Sequence, residues 1–174
     1  MAGSLIKIDE EIVSSAVSSV TLTGIDSSYD VYMVKLNNVA PDGANRNLYM
    51  RVTKSGTADT TSNYDYAYKA LRADTTFSNV NNTNQTFWQT SNYANSTGTS
   101  QTMNGVFYLF NFANASEYSF VTNETANLTG SNLLIGAQGG GVHTVASASD
   151  GLSFHYSADN IASGRFVLYG LKKE

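Results

Sequence analysis

The chain has 174 residues, enough for one domain to bury a core without staples, and no cysteine, which excludes disulfides, thiolate nucleophiles and zinc–thiolate sites. Its 10 Lys and Arg against 14 Asp and Glu give a formal charge of −4 with the cations scattered, so no cluster is available to neutralise the phosphates of a nucleic acid. No apolar run reaches the length of a membrane span, and Met1-Ala2-Gly3-Ser4 lacks the charged-then-apolar pattern of a secretion signal, so a soluble protein made in the cytoplasm is expected.

Alternation of apolar and polar residues starts at once. Leu5 to Val13 reads as a strand with Ile6, Ile8 and Ile12 inward and Lys7, Asp9 and Glu11 in water; Glu10 marks an edge or bend. Val17 to Thr23 follows, with Val20 and Leu22 inward, and Gly24 with Asp26-Ser27-Ser28 makes a turn. Tyr29 to Asn37 is apolar on both faces, as a central strand requires, and Pro41-Asp42-Gly43 turns the chain because proline presets φ and glycine tolerates positive φ. Leu48 to Thr53 is the next strand. In Asn63 to Ala70 the residues Tyr64, Tyr68 and Leu71 also fit a helix face, but three tyrosines at period two favour a strand.

The segment Asp74 to Gly105 is rich in Asn, Thr and Ser and carries Phe77, Phe87, Trp88 and Tyr93 with little periodicity. Two readings stand: short strands around Thr86 to Gln89 with Trp88 in the core, or a long loop or arm that packs on a neighbouring subunit. Val106 to Phe112 is apolar on both faces. Further strands are expected at Tyr118 to Thr122, Leu133 to Ala137, Val142 to Ala146, Leu152 to Tyr156 and Arg165 to Leu171, with Gly139-Gly140-Gly141 as a hairpin loop. The sum is a single all-β domain over residues 1–174, an antiparallel β-sandwich of jelly-roll type.

Residues that could carry chemistry are few. His143 and His155 alternate with apolar neighbours, which puts both on outward strand faces. Asp150, Ser153 and His155 are crowded within one short segment and lack a nucleophile turn, so they do not read as a triad. Asp9, Glu10 and Glu11 could pair as carboxylates across a sugar, but the alternation with Lys7 is that of a solvated edge. The glycine run lacks the Lys-Ser or Lys-Thr of a phosphate loop, and Asp26, Asp30 and Asp42 lack calcium-loop spacing. Arg51, Arg72 and Arg165 read as surface cations or as contacts between subunits. No enzyme, metal or cofactor is expected.

Ser4 to Asp9, Ser15 to Asp26 and the ending Ile161 to Lys172, together with Leu48 to Gly56 and Gly141 to Thr144, resemble small β-rich structural proteins of tailed bacteriophages. The resemblance implies a virion component: a capsid decoration or cement protein, a homotrimer seated on the major capsid protein. The contacts would then fall on aromatic segments, with Tyr64, Phe87, Trp88 and Tyr93 as candidates, because aromatic side chains dominate interface energetics. The alternative is a tail-fibre or receptor-binding module, with Trp88, Tyr93 and Tyr64 as platforms for host glycans.

Overall fold

The computed structural model describes residues 4–74, 77–91 and 95–171, and every regular element among them is a β-strand. In chain order they are β1 (Leu5–Val13), β2 (Val20–Thr23), β3 (Val31–Pro41), β4 (Leu48–Lys54), β5 (Thr57–Ala58), β6 (Tyr64–Arg72), β7 (Ser78–Gln85), β8 (Trp88–Gln89), β9 (Met103–Phe110), β10 (Ser119–Leu128), β11 (Leu134–His143), β12 (Gly151–Tyr156) and β13 (Ile161–Leu171). An eight-stranded antiparallel sheet runs β1-β13-β3-β9-β10-β11-β6-β7. A five-stranded one runs β2-β12-β4-β5, with β8 also paired to β4.

The chain changes sheet between β1 and β2, β2 and β3, β3 and β4, β5 and β6, β7 and β8, β8 and β9, and on either side of β12. This places β1-β13-β3-β9 opposite β2-β12-β4-β8, the wiring of a jelly roll. Two hairpins, β6–β7 and β10–β11, are inserted into that wiring and widen the large sheet beyond β9. The core lies between the sheets: Val34, Leu36, Phe166 and Leu168 from one meet Leu22, Met50, Val52 and Phe154 from the other, with Phe154 and Phe166 at 5.3 Å between ring centroids. Each such side chain contributes about 1.5–3 kcal/mol by leaving water.

The structure corrects the sequence reading at four places. Of the two readings of Asp74 to Gly105, short strands with Trp88 in the core holds and one long loop does not, because β7, β8 and the start of β9 lie in it. Leu133 to Ala146 is not a hairpin: β11 runs straight through Gly139-Gly140-Gly141, paired on both sides. The glycines are there for clearance, since a Cβ on Gly141 would come within 2.6 Å of the Trp88 ring, and one on Gly139 within 2.3 Å of the Ala67 carbonyl. Strand β10 is longer than expected, and its inward residues Asn123, Thr125 and Asn127 are polar yet buried. They face the segment after β8, where Thr125 Oγ1 donates to the Thr90 carbonyl (3.4 Å) and Ser91 Oγ to Asn127 Oδ1 (3.3 Å).

The fourth correction concerns β1. A bulge between Lys7 and Asp9 shifts its register on β13, so that Lys7, Glu10 and Ile12 pair with Tyr169, Val167 and Arg165 on the outer face. Ile12, expected inside, is 67% exposed. Asp9 turns to the margin instead, where its carboxylate accepts from the backbone N–H of Glu10 (2.8 Å) and of Thr23 in β2 (2.7 Å). At the opposite margin β7 presents Asn79, Asn81, Asn82 and Asn84. Asn84 adopts a left-handed φ of 55°, and its N–H is taken by Asp65 Oδ1 (2.7 Å).

Trp88 is 2% exposed. Replacing it with alanine is expected to cost about 3–5 kcal/mol in urea unfolding, whereas a solvent-facing platform residue would cost less than about 0.5 kcal/mol.

Candidate functional site

The aromatic residues singled out in the sequence do not converge on a surface. Trp88 lies in the core, edge-on to Tyr64 (5.1 Å) and tilted against Phe112 (6.3 Å), and its indole N–H donates to the carbonyls of Asp65 and Val142, both at 3.2 Å. Tyr64 is fully buried and its hydroxyl donates to the Asp59 carbonyl (2.7 Å). Neither can touch a partner or a glycan, so the expectation for both is overturned: the inner face of β6 needs large rings to fill the gap that the glycines of β11 leave. Phe87 is half-buried and stacked on Tyr49 with centroids 3.8 Å apart, covering the outside of the small sheet. Tyr93 lies outside the described residues.

The histidines also differ from expectation. His143 is buried, not outward, because the inner row of β11 runs Ile135, Ala137, Gly139, Gly141, His143. Its ring lies 4.7 Å from that of Tyr64, and its Nε2 is 3.5 Å from Asp59 Oδ2, too far for a hydrogen bond. Burial holds its pKa below the ordinary histidine value, outweighing the opposing pull of the Asp59 carboxylate. His155 stands edge-on to Tyr49 at 5.6 Å, on the outside of the small sheet; burial first, then the charge of Arg51, lowers its pKa to about 4.

The carboxylates are occupied with structure. Asp150 accepts from Thr53 Oγ1 (2.7 Å) and the Gly56 N–H (2.8 Å), which ties down the β4–β5 hairpin. Glu10 bridges Lys7 (2.7 Å) and Arg165, and these two hydrogen bonds hold its pKa below the usual carboxylate value. Asp42 binds the N–H and amide of Asn160 (2.7 and 2.8 Å), and Asp26 accepts from the Ser28 N–H (2.8 Å). Arg51 donates to the Thr86 carbonyl (2.8 Å), and Arg72 forks onto Asp74 (3.0 and 2.8 Å). Among the described residues no three His, Asp or Glu side chains are grouped to hold a metal.

What remains is a surface. The outer face of the eight-stranded sheet carries Tyr108 (40% exposed) and Phe120 (45%), with Val106 and Phe110 half-buried between them. Beside them, where β10, β11, β6 and β7 run together, lies a shallow apolar trough of about 500 Å³. Its floor is Thr122, Gly140 and Ala67, paired side by side, and Phe120, Val142 and Asn81 rise around it. Sequence reasoning missed this face because the inner and outer residues of β9 are equally apolar. The signal was the parity of Val106, Tyr108 and Phe110 against Phe107 and Leu109.

Both histidines are charged more readily in the unfolded chain than in the fold, so stability is full above pH 6.5 and falls as pH drops below it. A shift to about 4 at His155 corresponds to about 3 kcal/mol, and solvent reaching the ring reduces it to about 1–2 kcal/mol. Urea unfolding from about pH 7.5, a unit above the ordinary histidine value, down to about pH 4, the value His155 has in the fold, is expected to show this decline, and His155→Gln to flatten it. The carboxylates of Glu10, Asp26, Asp42 and Asp74, whose pKa values are lowered, add their losses only further toward acid.

Compared with family models, with curated proteins and with solved structures, the chain finds no match.

Proposed function

We propose that the protein is a non-enzymatic structural component of a tailed-bacteriophage virion, a decoration or cement protein that strengthens the head through contacts with its own copies and with the major capsid protein. The observation that carries this reading is the middle of the outer face of the large sheet, where Val106, Tyr108, Phe110 and Phe120 form an aromatic patch with charge standing beside it. Such a face suits repeated adhesion, where many weak contacts add up through avidity. The segments behind the resemblance to phage structural proteins form β1, β2, β4 and β13, which belong to the jelly-roll framework; the widened part of the large sheet lies outside most of them. The resemblance also implies three copies per assembly and synthesis in the host cytoplasm.

A second reading, recognition of host glycans by a tail-fibre module, has one observation in its favour. In the trough, Phe120 stands on one wall and Asn81 and Asn82 on the opposite one, an apolar ring across from amides. That is the chemistry a pyranose meets with its C–H face and its hydroxyls.

Gold-labelled antibodies against the chain, applied to intact particles from cells that carry its coding sequence, distinguish the two. Decoration gives label spread over the head, and host recognition gives label confined to the tail tip. Unlabelled particles would remove both. On a glycan array the decoration protein is expected to bind nothing, whereas the second reading requires binding that Phe120→Ala abolishes.

A further inference from the structure

The register of the large sheet makes its outer face complementary to itself. Across the strands, Lys35 of β3, Val106 of β9 and Glu124 of β10 stand side by side. Both charged residues are exposed, and neither takes part in an ion pair among the described residues; Glu124 accepts only from Gln138 Nε2 (2.9 Å) in its own sheet. One level along, Met33, Tyr108 and Thr122 form the next row, and beyond it Val31, Phe110 and Phe120. Each row centres on β9, and in the first of them a cation stands on one side of the centre and an anion on the other.

We infer that two copies of this chain pack these faces together about a two-fold axis running along β9. Rotation about such an axis preserves position along the strand and exchanges left for right, so each residue of β3 meets the residue of β10 in its own row. Lys35 then faces Glu124 of the second copy, twice over. Met33 faces Thr122, Val31 faces Phe120, and Val106, Tyr108 and Phe110 meet their own counterparts. One strand further out the match is one of shape. Tyr169 of β13 shares a row with Met33, and Gly140 of β11 shares it with Thr122, so the tyrosine ring arrives over the glycine floor of the trough.

Several physical points favour a second copy as the occupant. A face carrying one sign of charge would repel itself, and this one is antisymmetric about its centre. The charge pairs lie one strand from the axis, where sheet twist displaces them least. Five strands about 4.8 Å apart, over the eight residues of β9 at about 3.4 Å each, give a footprint of roughly 600 Å² before side-chain relief. Stable interfaces use about 800 Å² per partner, so a reversible, concentration-dependent dimer is expected. The inference deepens the self-association within the proposed function and departs from the threefold assembly that the resemblance implies.

The test is charge reversal, read by sedimentation equilibrium of the full chain across a concentration series. Lys35→Glu and Glu124→Lys, each alone, put like charges opposite each other twice and are expected to weaken the dimer roughly a hundredfold. The double variant restores opposition and is expected to return the affinity to within about tenfold of the parent. Tyr108→Asp places two carboxylates on the axis and is expected to leave a monomer. Far-UV circular dichroism on each variant shows whether the fold is kept, and both charge positions are exposed. A parent that stays monomeric, a trimer, or a dimer indifferent to Lys35→Glu would each overturn the inference. A monomeric parent that still coats phage heads would leave the virion reading standing; a dimer with this mutational pattern that labels no particle would do the reverse.

Discussion

The two sheets of this protein differ in width, and the indole of Trp88 is what allows them to. Trp88 sits on a two-residue strand that belongs to the small sheet through Met50 of β4, while its ring nitrogen donates to backbone carbonyls of β6 and β11 in the large one. The inserted hairpins would otherwise project past the small sheet with their inner face in water. The ring fills that space against Tyr64 and Phe112, and the missing side chain of Gly141 provides the room. The polar seam of Asn123, Thr125 and Asn127 follows from the same arrangement. There the chain leaving β8 offers the Thr90 carbonyl and the Ser91 hydroxyl, which pair with the side chains of Thr125 and Asn127 as no aliphatic residue could.

The strands at the centres of the sheets could be read directly. Tyr29 to Asn37, Val106 to Phe112 and Leu152 to Tyr156 are apolar enough that only a central position in a sheet suits them, and β3, β9 and β12 lie there, each with a strand on both sides. The jelly-roll framework was legible for that reason. The inserted part was not. β7 is made of Asn, Ser, Thr and Gln with one valine, and β10 hides its burial in polar side chains, so hydrophobic periodicity has nothing to register in either. Glycines usually end strands, and a run of three concealed a continuous one, because their role depends on rings from residues far away in sequence. The bulge at Ile8 is equally silent: one unpaired residue exchanges the faces of everything after it, so Ile12 moved from core to surface.

The candidate surface was illegible for a different reason. Exposure follows from which side of a sheet faces its neighbour, and aromatic residues occur on both sides of β9. Tyr64 and Trp88 are conspicuous in the sequence and serve as struts; Tyr108 and Phe120 are less conspicuous and face outward. The row along β9 itself, Val106, Tyr108 and Phe110, carries no charge, so contact there desolvates no ion. The charges near its centre, Lys35 and Glu124, stand at positions where they can be matched.

The carboxylate of Asp9 has a wider effect than its two hydrogen bonds suggest. By accepting the Glu10 N–H it removes a donor that a foreign strand would need in order to dock, and the kinked asparagine row of β7 hinders the same approach at the far side. A molecule sealed at both flanks can be stacked but not lengthened. Its copies can stand at high concentration without zipping into fibres.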